Sequence, residues 1–163
     1  MLLDSFKNIS DHSKIWIYCF NKNLNSSELQ EIKLKLDDFT QDWTAHNSKL
    51  IAKGSLVLNH FIILAVDEET ATASGCSIDK SIYFLKTLMQ DYGIDLFNRN
   101  LMALYNNKDL TFVELPLLKT MLANHQIDGD LLFFDNTMNT LVEARTKWLK
   151  PINESWFYKQ LIA

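Results

Sequence analysis

A short polar segment, residues 74–79 with the sequence SGCSID, holds the residue types best suited to chemistry in this chain. It follows an apolar run and an acidic loop, and an amphipathic helix opens near Ser77. Backbone N–H groups at a helix start are free, and together with the helix dipole they favour an anion. The candidate ligand-binding residues are therefore Ser74, Gly75, Cys76, Ser77 and Asp79, with Asp67 and Glu68 at the edge of the loop.

Three interpretations of this segment stay open. In the first, the amides and the two serine hydroxyls bind a phosphate or a carboxylate. In the second, Cys76 is a catalytic nucleophile, because a thiolate is stabilised at a helix N-terminus. A thiol enzyme also needs a base, and no spacing ties His46 or His60 to this cysteine. In the third, Ser74 or Ser77 only caps the helix and the cysteine simply packs.

Metal and cofactor chemistry finds little support in the sequence. Asp67, Glu68 and Glu69 could hold a divalent cation, but a solvated acidic loop is the favoured explanation, because hard cations need several converging oxygens. The four histidines are far apart and no paired-cysteine spacing occurs, so we expect no metal site. Gly-rich phosphate loops, GxGxxG and GxSxG are absent, and we expect no cofactor.

Single aromatic residues offer weaker signals. His46 closes the predicted first helix, where an imidazole would favour the negative end of the dipole, so we expect it to cap that helix. Trp148 and Trp156 are expected in the core or in a lid, with a ligand-stacking wall as the alternative.

The first half of the chain predicts two strands, a hairpin arm and two helices. Residues 14–20 (KIWIYCF) and 61–66 (FIILAV) have no polar alternation, which indicates strands covered on both faces. Residues 50–58 and 61–66 flank Asn59-His60, which predicts a two-residue hairpin turn. A capping-box spacing at Asn25 opens one helix, and a second helix over 77–92 ends at Gly93.

The second half predicts shorter elements. We expect strands at 101–105 and 110–115, a short helix from Pro116 to about residue 124, a strand at 131–134 and a terminal helix over 156–162. The order β-α-β-β-α-β is that of a ferredoxin-like antiparallel sheet, so the fold class is α+β. We expect one domain, residues 1–163, with a core over 14–115 and a C-terminal extension, 116–163, that covers the second face of the sheet.

Composition limits the partners. The chain of 163 residues is 47% apolar with a net charge of −4 and has no basic face, so nucleic acid is not expected. No apolar run approaches the length of a membrane helix, no secretory signal precedes the first strand, and the two cysteines form no disulfide framework. These features predict a cytoplasmic protein with reduced thiols, either a monomer or a homodimer, and no membrane partner.

Several blocks resemble one protein family along nearly the whole chain. KIWIY, residues 43–46, FIILAVDE, SGCSIDKS and ESW (154–156) are similar to a family of small bacterial proteins commonly labelled "ABC transporter ATPase". This chain lacks the phosphate loop that such an ATPase needs, so the resemblance implies a bacterial, cytoplasmic protein and no ATP site.

The residues best fit a small-ligand or anion-binding module with its site at residues 74–79, and they lean away from an enzyme. A thiol-dependent enzyme using Cys76 and a structural or interaction protein are the alternatives.

Overall fold

A computed structural model describes residues 1–162 and shows a mixed α+β fold with two main antiparallel sheets. The strands are β1 (Lys14–Cys19), β2 (Thr44–Ala45), β3 (Ser48–Lys49), β4 (Ile51–Val57), β5 (Phe61–Asp67), β6 (Leu101–Asn106), β7 (Asp109–Glu114), β8 (Leu132–Phe134) and β9 (Leu149–Pro151). The helices are α1 (Ser26–Asp42), α2 (Gly75–Tyr92), α3 (Leu115–Ala123), α4 (Leu141–Lys147) and α5 (Tyr158–Ile162), with short 3-10 helices at Asp4–Phe6 and Ile152–Glu154.

The first sheet has the strand order β1-β5-β4, with β5 in the middle. Every residue from 61 to 66 is buried, as the uninterrupted apolar run predicts. The hairpin between β4 and β5 is confirmed, but its loop has three residues, because Val57 pairs with Phe61 and the positive φ angles fall on Leu58 and Asn59.

Helices α1 and α2 cover one face of this sheet. Their buried side chains form a core with Ile62 and Leu64 of β5 and with Phe20, which directly follows β1. The predicted capping box of α1 is present, since Asn25 accepts from the Glu28 N–H and Glu28 accepts from the Asn25 N–H. Helix α2 starts two residues earlier than predicted and ends at Gly93, whose φ of 60° is the left-handed conformation.

The second sheet, with the order β7-β6-β8-β9, packs on the other face of the first. Ile15, Ile63 and Ala65 from the first sheet share a core with residues of β6, β8 and α4. Phe134 and Trp148 from the C-terminal part cover the apolar second face together with Ala103 of β6, a strand that was predicted to lie in the first sheet. Helices α3 and α5 lie on the far side of the second sheet in a third core.

The strand order does not confirm the ferredoxin-like topology. That plan would place the strand at 101–105 beside β1 in a single sheet, whereas β6 pairs with β7 and β8 in the second sheet. Strand β1 consequently lies at an edge of its sheet. On the side away from β5, only its first residues pair with another segment, through a bridge between Lys14 and Thr140. The local pattern specifies which segments are strands, but pairing is decided by the long-range packing of apolar faces.

No helix within residues 1–162 combines the length and the apolar character needed to cross a membrane.

Candidate functional site

The start of α2 is a self-capped helix terminus on the surface. Ser74 lies at the N-cap with extended backbone angles, and its hydroxyl accepts a hydrogen bond of 3.2 Å from the Ser77 N–H. The Ser77 hydroxyl is buried and donates back to the Ser74 carbonyl at 2.8 Å. Both serine hydroxyls are therefore used at the helix start itself: Ser74 is the N-cap, whereas Ser77 caps no amide and Cys76 is exposed rather than packed.

The first two amides of α2 stay open. The N–H groups of Gly75 and Cys76 meet no acceptor among residues 1–162, and both residues are exposed. A Cβ atom built on Gly75 would have no heavy atom within 4 Å. The segment thus offers two N–H groups to an anion, and the space beside Gly75 is open.

The acidic residues near this terminus serve their own loop. The Asp67 carboxylate accepts from the Glu69 N–H at 3.1 Å, and the Glu68 carboxylate accepts from the Ala73 N–H at 3.1 Å. Asp79 is exposed on the first turn of α2. Within residues 1–162 no group of three or more histidine, cysteine, aspartate or glutamate side chains is placed to hold a metal ion.

Cys76 opens onto a shallow groove of about 630 Å³ along the outer side of α2. Its lining contains no histidine within the described part of the chain: Phe39, Cys76, Asp79, Lys80, Tyr83, Phe84 and Thr87. His60 lies elsewhere, where its Nδ1 is 3.0 Å from the Phe20 carbonyl oxygen. The prediction that His46 caps α1 is wrong in its position, because α1 ends at Asp42 and His46 lies in the tight turn between β2 and β3 with a φ of 49°.

The second cysteine occupies a different environment, at the end of β1. Burial raises the pKa of the Cys19 thiol to about 12, against a smaller lowering by a hydrogen bond with the Asn136 side chain. Its Sγ is 3.7 Å from the Leu101 carbonyl oxygen. This thiol is therefore protonated at neutral pH and inert.

A larger groove, of about 810 Å³, runs between β1, α2 and the second sheet. Ile78 and Ile82 of α2 form one side, and Leu101, Phe133 and Phe134 form the other. The groove opens where β8 leaves β6. Strand β8 pairs with β6 only at Leu104 and Tyr105, and the next residue after β8, Asp135, donates its N–H to the Trp148 carbonyl instead. A cavity of this size, apolar with a few polar groups, has the character of a ligand-binding site.

Two cations line this groove without a counter-ion. Lys86 and Arg99 are exposed there, and neither forms a hydrogen bond or an ion pair with any residue in the range 1–162. Arg99 lies near Tyr18, whose pKa is raised by burial and partly lowered again by the guanidinium charge. Lys86 and Arg99 place positive charge in the groove, although the chain as a whole carries a net charge of −4.

Among the described residues, Asp135 is the one carboxylate that lines the groove, and it is already neutralised. Asp135 is buried, and its Oδ2 is 2.7 Å from the Nζ of Lys150. Its Oδ1 accepts from the N–H and the hydroxyl of Thr137. It therefore does not cancel the charge of the two free cations.

The two C-terminal tryptophans have different roles. Trp148 is 1% exposed, and its indole N–H donates to Asn136 Oδ1 at 3.0 Å, so it belongs to the core. Trp156 is 48% exposed and lines the groove, with Lys119 Nζ 5.9 Å from its ring centre. A stacking wall is therefore available at Trp156 and not at Trp148.

Sequence reasoning missed the groove residues Lys86, Arg99 and the edge of β1. They come from separate parts of the chain, and no local spacing connects them. The available sequence signal is the apolar run of β1, which predicts a strand covered by other elements. It does not predict which edge of that strand stays unpaired.

Comparison of the chain with protein-family models, with curated proteins and with solved structures finds no match.

Proposed function

We propose that this protein is a binding module for an anionic ligand and that the groove between β1, α2 and the second sheet is its site. The single observation that carries the proposal is the pair of uncompensated cations, Lys86 and Arg99, in a partly apolar groove of about 810 Å³. A guanidinium can bind a carboxylate or a phosphate through two parallel hydrogen bonds.

The start of α2 is the second candidate for the same ligand. Its support is the pair of open amides of Gly75 and Cys76, because free N–H groups at a helix N-terminus favour an anion. The other predicted residues add no free donor: the hydroxyls of Ser74 and Ser77 are used by the cap, and Asp67, Glu68 and Asp79 are negatively charged. The groove has more surface to bury and full positive charges, so we place the ligand there first.

Isothermal titration with inorganic phosphate, succinate and adenosine monophosphate tests the proposal. We expect the double variant Lys86→Glu/Arg99→Glu to weaken binding at least about tenfold, because two attractive charges become repulsive. The control Lys33→Glu/Lys49→Glu changes the net charge equally on exposed residues away from the groove and should bind like the wild type.

A Gly75→Val variant separates the two places. Because the added side chain meets open space, it should not disturb folding and would hinder only an anion on the helix amides. Loss of binding in this variant, with normal binding in the groove variant, would move the site to the start of α2. Failure of every anionic ligand tested, small or polymeric, to bind the wild type would refute the proposal.

The thiol-dependent enzyme remains an alternative proposal with weaker support. Cys76 is exposed, which such an enzyme needs, but its groove within the described residues offers no imidazole to take the proton. A cytoplasmic location fits two free cysteines, and the resemblance to the small bacterial family stays a prediction.

A further inference from the structure

The outer edge of β1 is a strand edge whose pairing stops part-way. Even-numbered residues of β1 bond to β5, as the bond from the Phe20 N–H to the His60 carbonyl shows at the strand end. Odd-numbered residues therefore point their N–H and C=O groups away from β5. The Ile15 N–H uses that outward direction to donate to the Asn139 carbonyl at 2.9 Å.

The next two outward-facing residues, Ile17 and Cys19, are left without such a partner. If the pairing of residues 139–141 with the start of β1 continued, Thr137 would lie opposite Ile17. The Thr137 N–H donates to Asp135 Oδ1 instead, so it does not bond to β1. Among residues 1–162 no acceptor is bonded to the N–H of Ile17 or Cys19. A backbone donor at an unpaired edge can accept a further strand.

This open edge faces the groove. Five consecutive residues of β1, Ile15, Trp16, Ile17, Tyr18 and Cys19, line it. Successive side chains point to opposite faces of a sheet, so a cavity that touches all five must lie along the edge of the strand.

We infer that the ligand of this groove is an extended peptide segment with an acidic side chain, which binds as an added strand along β1 at Ile17 and Cys19. This inference rests on the proposed function and names its ligand class. Backbone groups of the peptide would bond to the edge, and the acidic side chain would pair with Arg99 or Lys86.

Two observations favour a peptide as the occupant. The protein's own residues 139–141 already pair with the same edge, through Ile15 and Ser13, so the edge is a competent strand template. The edge also lies in a groove whose walls come from α2, β6 and β8, and the positive charges of Lys86 and Arg99 in that groove complement an acidic side chain.

The test begins with selection of peptides from a display library of randomised decapeptides on the wild-type protein. Peptides that are enriched on the wild type but not on the Lys86→Glu/Arg99→Glu variant are then synthesised. We expect acidic residues to be enriched in them. Each is titrated as the normal peptide and in two forms, N-methylated on all odd or on all even amides.

Strand addition predicts that one of the two methylated forms loses affinity at least about tenfold while the other binds like the parent, because alternate amides of a strand face opposite edges. Equal effects in both forms would overturn the inference. An Ile17→Pro variant of the protein removes the outward N–H without removing a bond to β5. It should weaken binding of the unmethylated peptide by as much as the harmful methylation does.

Hydrogen exchange followed by NMR gives an independent readout that does not depend on a variant folding. Peptide binding should slow exchange at the amides of Ile17 and Cys19 and leave Trp16 and Tyr18, already bonded to β5, unchanged. If small anions bind the groove and no selected peptide does, the inference fails and the proposed function stands. If neither binds, both fail.

Discussion

The start of α2 and the outer edge of β1 both present open backbone N–H groups beside a cysteine, yet their surroundings differ. At the α2 start the amides of Gly75 and Cys76 face open solvent. At the β1 edge the amides of Ile17 and Cys19 face a groove with apolar walls and two cations. An N–H group in open water gains little from exchanging water for a ligand, whereas a groove that excludes water strengthens the same bond. Free backbone donors therefore identify a candidate binding site, and the enclosure of those donors by neighbouring residues decides which site is the better one.

The largest expected effect comes from removing a wall of the groove. Phe134 is 1% exposed and lies 4.9 Å from the ring of Phe61 and 4.7 Å from that of Trp148. The Phe134→Ala variant should lower the free energy of unfolding by about 3–5 kcal/mol, because it leaves a cavity between the two sheets. Urea denaturation followed by tryptophan fluorescence measures the loss.

The matched control is Tyr83→Ala on the outer side of α2, where the side chain is 74% exposed. Its effect should stay within about 0.5 kcal/mol. A loss below about 1 kcal/mol for Phe134→Ala would mean that this wall is loosely packed.

The two thiols compare the regions directly. At pH 8 we expect iodoacetamide to modify Cys19 at least about 100-fold more slowly than Cys76, because burial keeps the Cys19 thiol protonated and out of reach. Peptide mass spectrometry of a labelling time course reads both rates in one sample. Comparable rates would show that the β1 edge is as open to solvent as the helix start.

A smaller effect is expected from the cap of α2. Ser74→Ala removes the hydrogen bond to the Ser77 N–H and should lower the free energy of unfolding by about 1 kcal/mol. Asn25→Ala at the start of α1 is the control, because the Asn25 side chain likewise accepts from an N3 backbone N–H, there within a capping box. Anion binding in the groove should not change in either variant, and a clear loss in Ser74→Ala alone would favour the helix-start site.

The smallest effect concerns the segment that pairs with the first part of the β1 edge. The N–H groups of Asn139 and Thr140 donate to Glu143, and these bonds lower the pKa of that exposed carboxyl below its ordinary value of 4.5. Its contribution to stability is therefore complete above pH 4.5 and is lost as the pH falls through the lowered folded-state pKa.

Glu143→Gln should accordingly be less stable than the wild type at pH 7, and the difference should shrink as the pH falls below 4.5. Urea denaturation at a series of pH values measures the difference. A difference that persists unchanged at pH 3 would assign the role of Glu143 to packing rather than to its charge.

The elements with complete local signals were predictable from sequence. Helix α1 has both its capping box and its apolar stripe, and β5 has an uninterrupted apolar run that only a central strand can bury. Helix α4 was missed because seven residues give too short a periodic pattern. Its start carries a capping box, Thr140 with Glu143, which was the available signal.

The candidate site was predictable only in part, for a different reason. The cap at Ser74 follows from the order of a few neighbouring residues. The groove depends on which strands pair, because it opens where β8 leaves β6 and where residues 139–141 leave β1. Pairing is a property of the whole set of apolar faces, so Arg99 and Ile17 cannot be linked before the two sheets are placed.

The burial of one sheet face by late residues has a consequence for synthesis on the ribosome. All strands of the first sheet and both of its helices are complete once Gly93 has been made, but Trp148 follows 55 residues later (148 − 93). At about 5–20 residues per second, the nascent chain keeps an uncovered apolar surface for about 3–11 seconds. Ribosome-stalled chains ending before Trp148 should therefore recruit chaperones more strongly than longer ones, as crosslinking would show.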